Sequence, residues 1–266
     1  TSATQVLPSV HYSYAQTAAQ RFAALFDGEK VFDNPKPFED LSRLVDYLTG
    51  PDDIILDFFA GSGSTAHGVW TANQSMGTQR RFLVVQLDEP VNPDTTAGKN
   101  AVARGLHTID EVTKERLRRV SRQLKDAGAS GDLGFKVFKL APSNLKAWRN
   151  YDGGQLEELT LRIVGLESPL VENWKRDDLL VEVVLREGFP IDSRVEREGA
   201  FSENDVWRAV HPLLGTTLLV CLDARVSQAT VGRLTDYGQD VFVCLDTALD
   251  NQAKLQIMDR LKIKTL

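Results

Sequence analysis

The sequence predicts an α/β protein, and three observations carry that reading. A short apolar run, Ile54-Ile-Leu-Asp-Phe-Phe59, passes through glycines into a helix that begins near Ser64, and a second run, Arg81-Phe-Leu-Val-Val-Gln-Leu87, follows. Residues 53 to 87 therefore read as one β-α-β unit. Gly128 to Gly134 (Gly-Ala-Ser-Gly-Asp-Leu-Gly) reads as a linker that divides the 266 residues into 1–134 and 135–266. Beyond it, Leu218-Leu-Val-Cys-Leu-Asp223 and Val241-Phe-Val-Cys-Leu-Asp246 echo each other at an offset of 23 residues, each followed by a helical stretch. Two consecutive strand-helix units predict a second, smaller α/β domain with a small parallel sheet.

The elements follow in order. Tyr14, Ala18, Ala19, Phe22, Leu25 and Phe26 recur at helical spacing, with Gly28 placed to end the helix. After the turn Asn34-Pro-Lys-Pro37, a second amphipathic helix is marked by Phe38, Leu41, Leu44, Val45 and Leu48 and stopped by Gly50. The runs at 54–59 and 81–87 are continuously apolar, as in strands buried on both faces of a sheet. Residues 90 to 107 form a connection rich in turn formers, and a helix follows over about 108 to 126. Thr108 and Glu111 have capping-box spacing, and acids lead the helix while bases close it, as the helix dipole favours. Six bases between Lys114 and Lys125 read as a solvated face or a phosphate-binding patch. In the second half, Leu170 to Leu185 reads as helix, and Asp223 and Asp246 fall at equivalent strand ends, where α/β sites tend to lie.

Composition sets the outer limits. Hydrophobic residues make up 42% and the net charge is −6, which excludes a disordered or low-complexity chain and a generically basic nucleic-acid coat protein. The charge is even: 14 bases and 17 acids precede Gly134, 17 and 20 follow. Cys221 and Cys244 are too few for a disulfide framework and read as buried strand cysteines of a cytoplasmic protein. No apolar run reaches the ~18 residues of a membrane span, and Thr1-Ser-Ala-Thr-Gln5 has no signal-peptide pattern. Neither a metal-ligand set nor a catalytic constellation can be named.

Chemistry concentrates in Asp57-Phe-Phe-Ala-Gly-Ser-Gly-Ser-Thr65. A glycine turn between strand and helix lets a ligand approach the backbone, and the N–H groups of the helix N-terminus face it. Gly63 precedes Ser64-Thr65 with no Lys between, which argues against a phosphate-cradling P-loop. Gly61, Gly63 and Ala66 satisfy the dinucleotide pattern, with Asp88 as a ribose acid, so NAD remains a competitor. S-adenosylmethionine suits two further features. Asp57 supplies negative charge and Phe59 an apolar or cation-facing wall for a sulfonium ligand, and Lys36 is placed to meet a carboxylate.

Five segments, in order, resemble one family. Asn34-Pro-Lys-Pro37, Ile54 to His67, Arg80 to Leu87, Thr108 to Arg119 and Gly134-Phe-Lys-Val-Phe-Lys-Leu140 are similar to segments of the Mod subunits of type III restriction-modification systems, β-class DNA adenine-N6 methyltransferases. The resemblance covers residues 1 to 150 strongly and the rest weakly. It implies a Rossmann-like sheet of the S-adenosylmethionine-dependent methyltransferase type, incomplete here. It also implies that Asp57, Phe59, Gly61, Ser62, Gly63, Ser64 and Thr65 line the S-adenosylmethionine pocket, with Lys36 and Pro37 at the methionine end. Gln86 stands where many relatives carry an acid that holds the ribose hydroxyls; an amide grips a hydroxyl without the assistance of charge. Implied partners are double-stranded DNA, a second Mod subunit and the restriction subunit.

One element of that family has no counterpart: the chain contains no Pro-Pro pair, hence no Asp/Asn-Pro-Pro-Tyr/Phe box to hold a flipped adenine. The resemblance therefore implies the C-terminal part of a Mod subunit, inactive by itself, with apolar sheet surface left open and a tendency to self-associate. The alternative is a non-catalytic nucleotide-binding or subunit-interaction module.

Overall fold

The structure, a computed structural model, describes residues 13–146, 169–238 and 240–266. Thr1 to Gln5, read above for the absence of a signal peptide, lie outside the described residues. The chain divides into two compact units, 1–135 and 136–266.

The first unit carries α1 (Ala15–Ala24), α2 (Phe38–Leu48), β1 (Ile54–Asp57), α3 (Ser64–Met76), β2 (Arg81–Val84), α4 (Thr96–Ala103) and α5 (Ile109–Asp126). Strands β1 and β2 run parallel in the register Ile54↔Arg81 to Asp57↔Val84, with α3 as the crossover. Helix α3 is the most enclosed element because it meets both neighbours. Ala66 and Trp70 pack with Leu117 and Val120 of α5, while Val69 and Ala72 pack with Val45 of α2 and with Ile55 and Phe82 of the sheet. Gly68 makes the α2 contact possible: a Cβ there would stand 2.9 Å from the Phe38 carbonyl oxygen and 3.0 Å from the Ser42 nitrogen. The capping box of α5 forms as expected, with the Glu111 carboxylate accepting from the Thr108 N–H at 3.2 Å.

The sheet departs from the sequence reading. Both strands are shorter than the apolar runs, and they are buried on one face only. Ile55, Phe82 and Val84 turn toward the helices, whereas Ile54, Leu56, Phe58, Leu83, Val85 and Leu87 are exposed. Side chains alternate across a strand, so a continuous apolar run places oily residues on both faces whether or not both are covered.

The second unit contains α6 (Arg176–Arg186), β3 (Arg194–Arg197), β4 (Val206–Val210), β5 (Leu218–Cys221), α7 (Gln228–Leu234), β6 (Val241–Cys244), α8 (Asn251–Met258) and β7 (Lys262–Thr265). The strands form one sheet in chain order, antiparallel from β3 to β5 and parallel from β5 to β7. Leu218 pairs with Val241 and Cys221 with Cys244, the same offset of 23 residues that separates the echoing segments. This sheet is covered on both faces: Leu179 and Val183 of α6 pack on Leu218 and Val220, while Val231 of α7 and Ile257 of α8 pack on Leu219 and Phe242. The antiparallel pair β3–β4 was not anticipated, and the helix expected from Leu170 begins at Arg176. Leu170 instead bridges Leu145 in extended form. No helix among the described residues is long and apolar enough to cross a membrane.

The exposed sheet face of the first unit has a consequence in solution. Leu56 and Leu83 are register partners on that face, so residues 1–266 are expected to show a mass in light scattering that rises above the monomer's with concentration. Leu56→Glu combined with Leu83→Glu should suppress the rise. A monodisperse monomer at all concentrations would contradict it.

Candidate functional site

Strand β1 ends on Asp57, whose carboxylate organises the chain reversal that follows. One oxygen accepts the Phe59 N–H at 2.9 Å and the other accepts the Thr65 hydroxyl at 2.5 Å, which ties the strand end to the first turn of α3. Gly61 (φ +52°) and Gly63 (φ +77°) take left-handed conformations, and Gly63 is the N-cap residue of α3. Gly63 is constrained twice, because a Cβ would also approach Thr113 Cγ2 at 3.0 Å. The turn is held from both sides. Gln86 Oε1 accepts the Gly61 N–H at 2.8 Å, and the Thr113 hydroxyl donates to the Gly61 carbonyl.

Beneath the turn lies Arg116 of α5, 1% exposed. Its Nη1 donates to the Ser62 carbonyl (3.1 Å), Ser62 Oγ (2.9 Å) and Ser64 Oγ (2.7 Å), and its Nη2 to His67 Nδ1 (3.3 Å). The guanidinium carbon sits 5.1 Å from the Phe22 ring centroid. Burial lowers the Arg116 pKa to about 9, so it stays charged at neutral pH. Because a guanidinium can only donate, His67 Nδ1 must carry a lone pair and Nε2 the proton. The His67 ring stacks on Phe38 at 3.6 Å and 9°. Burial, aided by the charge of Arg116, depresses its pKa to about 3.

The residues singled out by sequence occupy different layers. Ser62 and Ser64 are buried beneath the turn, whereas Phe59 is 89% exposed and packs into no core. The Lys36 side chain is exposed, but its carbonyl accepts the Ser64 hydroxyl at 2.9 Å. The Asn34–Pro37 turn is thereby joined to the N-terminus of α3, and Pro37 becomes the N-cap residue of α2. Gln86 directs its carbonyl at the glycine turn.

The bases of α5 form neither a solvated face nor a phosphate patch as a set. Arg116 is buried, Lys114 pairs with Asp110 at 2.8 Å, and Arg119 with Glu115 at 2.8 Å and Asp27 at 3.3 Å. Sequence reasoning missed Arg116, His67 and Thr113. A signal for Arg116 existed: it shares the stripe of Val112 and Val120, four residues away on either side.

In the second unit the strand-end acids serve local structure. Asp223 accepts from Arg176, from Asn204 Nδ2 (2.8 Å) and from the Asp205 N–H (2.9 Å), while Asp246 pairs with Lys254 at 2.7 Å. Cys221 and Cys244 are buried free thiols, pushed up to about 11 and about 12 by burial. Among the described residues no group of His, Cys, Asp and Glu is arranged to hold a metal.

Comparison with known proteins finds one family model, matched in the first unit, and several similar proteins. Residues 3–80 match a family model described as DNA methylase. The chain is 39% identical over 116 residues to the Mod subunit of the type III restriction-modification enzyme StyLTI of Salmonella typhimurium, covering 43% of this chain and 17% of that protein. It is 37% identical over 139 residues to the EcoP15I Mod subunit of Escherichia coli, covering 52% of this chain and 20% of the relative. The type II methyltransferase M.KpnI of Klebsiella pneumoniae is 34% identical over 113 residues, 42% of this chain and 26% of that protein. The matched stretch thus spans about a fifth of the Mod subunits.

His67 gives the first unit an acid sensitivity with a definite sign. In the unfolded chain it takes up a proton as pH falls below 6.5, the ordinary value for histidine; in the folded chain it stays neutral to about 3. The unfolded state binds more protons, so its contribution is full above pH 6.5 and is lost as pH falls from 6.5 toward 3. Between pH 7 and pH 5 the loss is about 2 kcal/mol. Hydrogen exchange of α3 amides is expected to report that loss in the native chain and a smaller one in His67→Gln. Equal pH dependence in both would contradict the assignment.

Proposed function

We propose that the chain, similar to Mod subunits of type III restriction-modification enzymes and matched over residues 3–80 by a DNA methylase family model, binds S-adenosylmethionine at the β1–α3 turn. On this reading the chain contributes the cofactor-holding part of a DNA adenine-N6 methyltransferase. The observation that carries the reading is the convergence of three pieces on one spot: the Asp57 carboxylate, the positive-φ glycines before the α3 N-terminus, and the Asn34–Pro37 turn joined to Ser64 through the Lys36 carbonyl. Two strands with an intervening helix and a ligand turn at the carboxyl end of the first strand suit a Rossmann-like methyltransferase sheet.

The residues fit the cofactor. A Cβ at Gly61 would meet nothing closer than 3.8 Å, so the left-handed backbone rather than crowding requires glycine there, and the outer side of the turn is open. Asp57 offers a carboxylate to the ammonium or sulfonium charge. The exposed Phe59 offers a ring to the cationic or apolar portion. Lys36 presents an ammonium group to the carboxylate, and α3 adds backbone N–H donors. Gly61 and Gly63 admit the ligand to the backbone, Ser62 and Ser64 fix the turn from below, and Thr65 orients Asp57. Gln86 gives its carbonyl oxygen to the Gly61 N–H and one amide hydrogen to the Leu87 carbonyl, which leaves its second amide N–H to donate to a ribose oxygen. When bound, S-adenosylmethionine supplies an electrophilic methyl group.

Residues 1–266 contain no Asp/Asn-Pro-Pro-aromatic box, so the groups that would extrude and aim adenine come from outside them. Double-stranded DNA, a second Mod-like subunit and a restriction subunit are the partners proposed for the whole assembly. A subunit-interaction module without chemistry is the second reading, favoured by the exposed apolar face around Leu56 and Leu83.

Calorimetry separates the two. S-adenosylhomocysteine is expected to bind residues 1–266, and Asp57→Ala to weaken it about 10- to 100-fold, the cost of removing a charged hydrogen-bonding group. Binding of NAD with no binding of S-adenosylhomocysteine would sink the cofactor assignment, and binding of neither would leave the interaction module. Incubated with DNA and labelled S-adenosylmethionine, residues 1–266 alone should transfer no methyl group. Detectable transfer would refute the claim that the adenine-holding groups lie elsewhere.

A further inference from the structure

We infer that Arg116 is the positioning residue that locks the glycine turn to the Asn34–Pro37 turn, building both walls of the candidate cofactor pocket without itself reaching the ligand. The inference deepens the S-adenosylmethionine reading, and its first readout does not depend on that reading. Three observations support it. The guanidinium is buried, and its described partners are a carbonyl, two hydroxyls, an imidazole nitrogen and an aromatic face, with no carboxylate among them. Its Nε, also buried, has no hydrogen-bond partner among the described residues. A desolvated cation without a counter-ion is a costly way to fill a helix stripe, and Leu or Met would fill it more cheaply.

The donors also have direction. Because Arg116 occupies a lone pair on Ser64 Oγ at 2.7 Å, that hydroxyl is free to donate, and it donates to the Lys36 carbonyl at 2.9 Å. Arg116, Ser64 and Lys36 thus form one relay from α5 through the first residue of α3 to the turn before α2. Ser62 is gripped at both its carbonyl and its hydroxyl, which fixes the peptide between the two left-handed glycines. The planar fork can serve these acceptors and His67 together; the ammonium group of a lysine cannot span them.

Hydrogen exchange of the free chain tests the coupling directly, read at peptides that cover 34–38 together with the first turn of α2, where the Leu41 N–H donates to the Pro37 carbonyl, and at 60–64, where the Gly61 and Gly63 N–H groups are bonded. Arg116→Met is expected to speed exchange at least tenfold in both peptides while the C-terminal turns of α2 and α3 stay protected, and Arg116→Lys should fall between. Should Arg116→Met fail to fold, Ser64→Ala decides: it breaks the relay midway and should loosen 34–38 more than 60–64, where Arg116 keeps its bonds to Ser62. In Arg116→Ala, millimolar N-ethylguanidine should restore protection where N-ethylurea does not. In parallel, S-adenosylhomocysteine affinity should fall at least tenfold in Arg116→Met. Unchanged exchange at 34–38 and 60–64, or equal rescue by the neutral urea, overturns the inference. If native residues 1–266 bind no S-adenosylhomocysteine while the exchange results hold, the coupling stands and the cofactor assignment falls.

Discussion

The first unit depends on a cation removed from water. Moving a guanidinium to 1% exposure costs several kcal/mol even after relaxation. What offsets that cost is a set of acceptors that only one arrangement of the chain provides: the Ser62 carbonyl between two left-handed glycines, two serine hydroxyls turned inward, and a histidine held in its Nε2-protonated form. Arg116 therefore acts as a demand on the geometry of its neighbours. Stacking of His67 on Phe38 extends that demand to α2, and the close approach at Gly68 allows it. The outer side of the turn can remain open because the opposite side is tightly specified.

How much of this was legible in the sequence follows from the range of each interaction. Asp57, Gly61, Gly63 and the start of α3 at Ser64 were readable because a strand-turn-helix reversal is local and its backbone demands fall on adjacent residues. Capping at Thr108 and Glu111 was readable for the same reason. The contact of Ser64 with Lys36 spans 28 residues, and those of Arg116 with Ser62 and Ser64 span 54 and 52. Charge counting hid the latter, since six bases on one helix suggest a face, whereas burial sorts them one at a time. Gln86, singled out for the ribose, also gives its amide carbonyl to the Gly61 N–H, 25 residues away, a contact of the kind that sequence spacing does not reveal.

The two sheets show the same limit at the level of the fold. Apolar runs identify strands but not what covers them: β1–β2 and β5–β6 look alike in sequence, yet the first pair has one buried face and the second has two. In the second unit, helices on both sides of β5 and β6 supply the difference. The repeat of 23 residues showed which strands lie side by side, because equal strand-helix units bring equivalent residues level. Strands β3 and β4 escaped notice since Arg194-Val-Glu-Arg197 and Val206-Trp-Arg-Ala-Val210 mix charge with apolar residues: β3 is an edge strand, and β4, between β3 and β5, buries only Val206 and Ala209 fully. The helix expected from Leu170 lost its first turn to the backbone pairing with Leu145.

Charge, finally, bears on the division of labour within the proposed methyltransferase. Affinity for duplex DNA rests on cations free to replace counter-ions at phosphates, and tight binders commonly engage about 6–10 of them. In the first unit most candidates are already committed: Arg104 to Asp27 and Glu29, Arg119 to Glu115 and Asp27, Lys114 to Asp110, and Arg116 to the turn. On α5 this leaves Arg122 and Lys125 as exposed bases near its C-terminal end, alongside Arg118, which faces Glu115 at 3.7 Å. Two or three charges on one helix cannot by themselves carry a duplex at physiological salt. The same arginines that would make a phosphate surface are the ones that pin α1, α5 and the glycine turn together. On the proposed reading α5 therefore trades affinity for DNA against precision in holding the methyl donor, and grip on a duplex falls to residues other than those of this helix.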